Sequence, residues 1–374
     1  MKTHNEIIKN DLYLRNAAKT IYSAYTKKTK LRQLVYETYG NSSIADANQL
    51  NIFIDLSSIL HSLYSENNRI VIDNITDISA GIINMCAHYR SFFRDSMRVD
   101  TRIFLINSLN SCDINRKFVA EYNSEFIMKT QVTQTNKLIE NNLKLLKILC
   151  PYLPAIYYID SPENYECSVI MANIIELLSD ERVPNLIISH DMYPMQLCAQ
   201  YKWTSYLYPR KQRLKDGESE DTSWMLPVND KPGFREEFWN RYASYRKVSP
   251  ALCNRISPIN YPLLISLVAF PERRLPSLVN RTNSAVKFIE TLAGSEDIKI
   301  QGNQILNNVE LCANYPVAAI EARYKAMDVQ YMLPFYKASP EAKNIQFLDL
   351  DDVAAVNNIA AKYYSNNPLE LQKL

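Results

Sequence analysis

Glycine is scarce in this chain, with only six residues among 374. Phosphate-binding loops and dinucleotide-binding turns need glycine where the backbone approaches a phosphate closely. The patterns GxGxxG and GxxxxGKS/T are both absent from the sequence. This argues against the usual nucleotide hydrolases and Rossmann dehydrogenases, and against a glycine-dependent helix-hairpin-helix DNA module in its standard form.

Net charge is small as well, at +2, so no overall field attracts nucleic acid or an acidic membrane. The seven cysteines show no short repeat spacing, which argues against a cysteine-based zinc module and a secreted disulfide scaffold. The N-terminal MKTHNEIIKN has no apolar segment, and no run reaches the length of a membrane span. We therefore predict a cytoplasmic protein without membrane contact. The abundance of Asn, Ile and Tyr favours an AT-rich, viral genome, in which case the compartment is the host-cell cytoplasm.

Short apolar runs alternate with helical segments after the first fifty residues. The runs at 51–55, 102–108, 155–161 and 185–191 are typical of strands that are buried on both faces. The segments between them repeat their apolar residues with helical spacing. This alternation predicts an α/β fold with a central parallel sheet flanked by helices and joined by right-handed crossovers.

The pattern divides the chain into three parts. Residues 1–49 predict a basic helical arm, which is either a solvated amphipathic helix pair or an arm that binds nucleic acid or a protein partner. Residues 50–293 form the α/β domain. Residues 294–374 predict a C-terminal helical extension, which is a second candidate contact for a protein partner.

Acidic residues follow the predicted strands. Asp55 and Asp191 end two of them, Asp160 lies near the end of a third, and Glu166 lies in the first turn of the helix that follows this third strand. Ligands of parallel α/β sheets bind at the carboxyl ends of the strands, where these acids are expected to meet. Hard divalent cations take oxygen ligands, so Asp55, Glu166 and Asp191 could hold one Mg²⁺ or Mn²⁺ and act as catalytic residues in phosphodiester hydrolysis.

Each acid also has a purely structural interpretation. Asp55 and Asp191 precede helical segments and could simply cap them. Glu166 could interact with the helix dipole as an ordinary first-turn acid. His190, beside Asp191, could be a ligand or a general base, but filling a polar pocket at a strand end is the simpler role.

Four segments in order resemble flap endonucleases, the 5′-nuclease branch of the PIN-like proteins. NIFIDLSSILHSLY is similar to the first strand and helix of that family, and DINRKFVAEYN to the segment that precedes its arch. NYECSVIMA resembles the helix that carries its acids, and IISHDMYPMQL the strand and loop that follow. The resemblance covers roughly 50–210 and implies a PIN-like fold and metal-dependent cleavage of DNA flaps or single-stranded ends.

The chain departs from that family at several acid positions. Ser168 and Val169 stand where the resemblance implies consecutive Asp residues, and Tyr193 stands where it implies a further one. The segment expected to bind duplex DNA, near 267–285, contains no glycine. Three retained acids fit a single ion, whereas a second ion would lack most of its ligands.

Candidate contacts with nucleic acid come from the resemblance and from basic clusters. The resemblance places Arg116, Lys117 and Tyr122 before the arch. Arg210 and Lys211 begin the densest basic run, which a solvated strand face explains equally well, and Arg273 and Arg274 lie where a duplex-binding module is expected. We predict a divergent flap-endonuclease-like protein that binds nucleic acid and whose metal-dependent hydrolysis is weakened or lost, a pseudoenzyme. An active nuclease with a reduced three-carboxylate site, a non-catalytic component of a viral replication, transcription or virion complex, and an unrelated α/β fold all stay open.

Overall fold

A computed structural model shows how the chain folds. It describes residues 48–65, 77–108, 113–120, 122, 133–160, 165–209, 211–213, 219–270, 275–294, 296–343, 345, 347, 350 and 353–363. The predicted basic arm at 1–49 lies outside these residues except for its last two positions. No helix within the described ranges is long and apolar enough to cross a membrane.

The centre of the molecule is a six-stranded sheet. Its strands lie in the order β3-β2-β1-β4-β5-β8, and the first five are parallel while β8 pairs antiparallel with β5. A separate antiparallel pair, β6–β7, is inserted between β5 and β8. Within the described residues the strands are β1 (Gln49–Asp55), β2 (Asp100–Asn107), β3 (Ile156–Asp160), β4 (Asn185–Ile188), β5 (Thr204–Tyr208), β6 (Lys211–Arg213), β7 (Ser219–Asp221) and β8 (Trp224–Leu226).

Helices connect and cover these strands. In chain order they are α1 (Leu56–Ser65), α2 (Asp77–Met97), α3 (Asp113–Arg116), α4 (Thr133–Leu149), α5 (Cys167–Leu177), α6 (Gln196–Gln200), α7 (Phe234–Arg246), α8 (Pro250–Cys253), α9 (Tyr261–Leu267), α10 (Thr282–Ala293), α11 (Gly302–Leu306), α12 (Val309–Asn314), α13 (Val317–Met327), α14 (Val329–Ala338), α15 (Pro340–Lys343) and α16 (Val353–Tyr363). The predicted α/β class, a largely parallel sheet flanked by helices, is confirmed.

Both faces of the sheet are buried, which explains why β1 is almost continuously apolar. Successive side chains of a strand point to opposite faces. Phe53 accordingly belongs to one hydrophobic core, whereas its neighbours Ile52 and Ile54 belong to the other. The sheet therefore separates two cores, and its carboxyl edge lies where the strands leave both of them.

The C-terminal helices share the first of these cores. Ile300, Ile320 and Leu333 pack in the same cluster as Phe53 and as residues of α5 and α9. The two sides of the domain boundary predicted at 293 thus contribute to one hydrophobic core.

The junction between α13 and α14 is tied to the carboxyl edge by buried side-chain amides. The Gln196 side chain donates to the Met327 carbonyl at 3.3 Å and accepts from the Val329 amide at 2.9 Å. The Asn115 side chain donates to the Ala326 carbonyl at 2.7 Å. Satisfying these buried backbone groups fixes α13 and α14 beside the carboxyl edge of the sheet.

Candidate functional site

Asp55 is the last residue of β1, directly before α1. Its Oδ1 accepts a hydrogen bond from the Ser58 amide at 3.0 Å, which is the capping role open to an Asp at this position. Its Oδ2 accepts from the Ser189 hydroxyl at 2.8 Å. Burial raises the pKa of Asp55 from 3.8 to about 6, the repulsion from Asp191 adds to this, and the two hydrogen bonds oppose it. The carboxyl therefore keeps its proton in mildly acidic solution and is largely ionised at neutral pH.

Ser189 joins the ends of β1 and β4. Besides contacting Asp55, its hydroxyl lies 3.0 Å from the Ser58 hydroxyl and accepts from the Asp191 amide at 3.0 Å. The Tyr206 hydroxyl contacts the backbone carbonyls of Ser189 and Asp191, at 2.9 and 2.6 Å. These contacts fix the backbone at the end of β4. The side chains of Asp55, Ser58, Ser189, Asp191 and Tyr206 are all buried.

Asp191 follows β4 and is 3% exposed. Its Oδ1 accepts from the Tyr193 amide at 3.0 Å, at the start of a short 3₁₀ turn, Tyr193–Met195. Like Asp55, it satisfies a backbone N–H at the beginning of a helical segment. Asp55 and Asp191 therefore each accept a hydrogen bond from a backbone N–H at the start of a helical segment, which is the structural role described for them above.

Glu166 lies directly before α5, at the position of its N-cap, but its side chain makes no capping hydrogen bond. Instead its Oε1 accepts from the Tyr122 hydroxyl at 2.8 Å, and both side chains are buried. Tyr122 lies in the segment after α3, so the hydroxyl that donates to Glu166 comes from a distant part of the sequence. Its ring is fully buried, and its predicted contact with nucleic acid stays a prediction.

The Cys167 thiol lies among the three acids. Burial raises its pKa well above the usual value, and Asp55, Glu166 and Asp191 raise it further through their negative charges. The thiol is also positioned 3.9 Å from the Ile106 carbonyl. Three carboxylates that are remote in sequence thus lie close enough to one neutral thiol for their charges to raise its pKa. Sequence reasoning overlooked Cys167, and its place directly after Glu166 was the available signal.

The convergence falls short of a metal-binding group. Among the residues described, no three His, Cys, Asp or Glu side chains are placed together so that they could hold an ion. The carboxylate oxygens are instead engaged by amide and hydroxyl donors, as for Asp55 with Ser58 and Ser189. The assignment of Asp55, Glu166 and Asp191 as ligands therefore stays a prediction.

The positions where the family resemblance implies further acids lie in the interior. Val169 and Tyr193 belong to the hydrophobic core, and Ser168 is 1% exposed. An isolated carboxylate at such sites would carry a large desolvation cost. Their replacement by neutral side chains is consistent with packing that no longer accommodates additional ligands.

The other strand ends form a separate polar cluster. The Asn107 side chain donates to Asp160 at 2.8 Å, and the Lys147 ammonium lies 3.7 Å from the same carboxylate. Ser57 and Ser108 are linked through their hydroxyls at 3.2 Å. Asp160 therefore has its own partners, Asn107 and Lys147.

The predicted nucleic-acid contacts have different environments. Lys117 is exposed, whereas Arg116 is half-buried and donates to the Tyr122 carbonyl at 3.1 Å. Lys211 begins β6, but its side chain lies outside the description. Arg210, Arg273 and Arg274 are outside the described residues, so their role stays a prediction.

Comparison with solved structures returns members of the family that the sequence segments resemble. The chain is similar to the 5′-exonuclease of T5 with bound zinc, at 10% identity and a TM-score of 0.45, over 84% of this chain and 98% of that one. It is also similar to the bacteriophage T5 flap endonuclease in a pseudo-enzyme–product complex with DNA and metal ions, at 10% identity and a TM-score of 0.47, over 84% and 100% of the two chains. No protein-family model matches the sequence, and no curated protein matches it.

Proposed function

We propose that this chain is a divergent flap-endonuclease-like protein that binds nucleic acid and whose metal-dependent hydrolysis is weakened or lost. One observation carries the proposal. The three retained acids converge, but they are buried around a neutral thiol and are hydrogen-bonded to the chain's own donors.

Proton binding and hydrogen bonding both compete with an ion at this site. An ion needs ionised oxygen ligands, and because burial raises the pKa of Asp55 to about 6, a proton competes for this carboxylate in mildly acidic solution. Glu166 Oε1 already accepts a hydrogen bond from the Tyr122 hydroxyl, and Asp191 Oδ1 accepts one from the Tyr193 amide. A cation at these oxygens competes with the donors that they already bind, which opposes affinity.

Support for nucleic-acid binding comes from the chain's basic surface. Lys117 is exposed directly after α3, in the segment that resembles the approach to the arch of flap endonucleases. Between Glu237 and Glu272 the sequence contains no acidic residue, but it contains Arg241, Arg246 and Lys247 in or next to α7. A local positive surface can bind phosphates although net charge is only +2.

The test measures binding and cleavage on the same substrate. A labelled DNA flap is titrated with the full chain in EDTA, and cleavage is then followed with Mn²⁺. We expect binding, little or no Mn²⁺-dependent cleavage, and a melting temperature that Mn²⁺ leaves unchanged. Manganese-dependent cleavage that Asp191→Asn abolishes would refute the loss of hydrolysis, and absence of any binding would refute the nucleic-acid function.

A one-ion nuclease is the second candidate, and one observation favours it. Asp191 is close enough to Asp55 to raise its pKa by charge repulsion, which a cation between them would relieve. If this candidate is correct, Mn²⁺ raises the melting temperature of the natural chain but not that of Asp55→Asn. An equal response of the two proteins would argue against it.

A further inference from the structure

A row of half-buried aromatic side chains lies at the carboxyl edge, beside the three acids. His190 precedes Asp191, and its ring lies edge-on to Tyr208, the last residue of β5, with centroids 5.8 Å apart. Tyr208 is paired across the sheet with Trp224, the first residue of β8, and their rings stack at 5.2 Å. Tyr245 of α7 continues the row, 6.1 Å from Tyr208. All four residues are only partly buried, so the row remains accessible.

Two guanidinium groups accompany this aromatic row. Arg241 lies over the Trp224 ring at 5.3 Å, and it also pairs with Glu237 one turn earlier in α7. Arg246 lies over the Tyr245 ring at 5.2 Å. Cation–π contacts hold these charges against the rings, at the edge where ligands of parallel sheets bind.

The combination of rings and positive charge selects one kind of occupant. Duplex DNA presents phosphates while its bases are stacked inside, so a row of partly exposed rings adds little to duplex binding. An unpaired strand offers both phosphates for the arginines and flat bases for aromatic contacts. Arg246 is followed by the exposed Lys247, which extends the positive charge beyond the row.

We propose that the aromatic row formed by His190, Tyr208, Trp224 and Tyr245, with Arg241 and Arg246, binds an unpaired nucleic-acid strand and leads it past the three acids. This inference rests on the proposed nucleic-acid function and names the surface that performs it. Aromatic contacts and guanidinium charges supply the affinity. Recognition of this kind tolerates any base sequence, because every base has a flat face.

The experiment compares the two ends of β5. Trp203 precedes β5 at the amino edge, is also half-buried, and has Lys202 over its ring at 5.4 Å, so it provides a matched aromatic–cation pair away from the acids. Binding of a labelled oligothymidine is measured by fluorescence anisotropy in EDTA. Tyr245→Ala and Arg241→Gln should each raise its Kd about fivefold or more. Trp203→Ala and Lys202→Gln should change it less than about twofold.

Two further measurements keep the test decisive. Tyr245→Phe retains the ring and should bind as the natural chain does, and melting temperatures identify any variant that loses affinity by unfolding. If the natural chain binds oligothymidine and both variants at the row bind equally well, the strand lies elsewhere, while the nucleic-acid function stands. If the natural chain binds neither oligothymidine nor a flap substrate, the proposed function fails together with this inference.

Discussion

Asp55→Asn should stabilise the protein at neutral and alkaline pH and lose this advantage in acid. Burial raises the pKa of Asp55 from 3.8 to about 6, despite the opposing hydrogen bonds from Ser58 and Ser189. Because the folded-state pKa lies above that of the unfolded chain, the stability contributed by this carboxyl is fully present below pH about 4. It is lost as the pH rises through about 6. A shift of about two pH units corresponds to about 3 kcal/mol of unfolding free energy.

The amide of Asn carries no charge at any of these pH values. Its oxygen can still accept from the Ser58 amide, while its nitrogen faces the Ser189 hydroxyl. Weaker hydrogen bonds offset part of the gain, at about 1 kcal/mol each. We therefore expect Asp55→Asn to be more stable than the natural chain by about 1–3 kcal/mol at pH about 8.

The assay is urea unfolding of both proteins in EDTA, followed by circular dichroism at pH about 4.5 and about 8. The pH dependence is the decisive quantity, since a general packing defect would lower stability equally at both pH values. If Asp55→Asn is as destabilising at the higher pH as at the lower one, the carboxylate is not penalised by burial. The reasoning about the acid cluster would then be wrong.

Three further substitutions test the same network. Ser189→Ala removes a hydroxyl that lowers the pKa of Asp55, so its destabilisation should grow between pH about 5 and 8, and a pH-independent loss would contradict this. Tyr122→Phe leaves the buried Glu166 without its hydroxyl donor and should cost about 1–3 kcal/mol in urea unfolding, whereas a neutral effect would show that the contact is dispensable. Gln196→Leu leaves a buried carbonyl and amide at the α13–α14 junction unpaired and should cost a similar amount, together with faster amide hydrogen exchange in α14. An unchanged rate of amide hydrogen exchange would show that α14 does not depend on the Gln196 side chain for its stability.

The sheet and the convergence of the acids could be predicted from local sequence. The apolar run of β1 ends at Asp55, and the run of β4 is followed closely by Asp191, so each acid is placed by the strand before it. Parallel pairing of β1 with β4 then brings the two ends together. The cytoplasmic location, the viral origin and the role of the basic arm depend on nothing in this geometry and stay predictions.

The partners of the acids could not be predicted, because they come from elsewhere in the chain. Tyr122 reaches Glu166 across 44 positions, and Ser189 reaches Asp55 across 134. Apolar periodicity likewise identifies the C-terminal helices, but it does not say which surface they bury. Only the fold shows that Ile320 and Leu333 pack in the same core as Phe53.

Conserving an acid at a strand end is not equivalent to conserving a metal ligand. A carboxylate in such a place needs positive or hydrogen-bonding partners, and a cation is only one way to supply them. Here the Ser58 and Tyr193 amides and the Ser189 and Tyr122 hydroxyls contact these acids, and one carboxyl can keep its proton. Capping and core hydrogen bonds therefore account for these side chains without an ion.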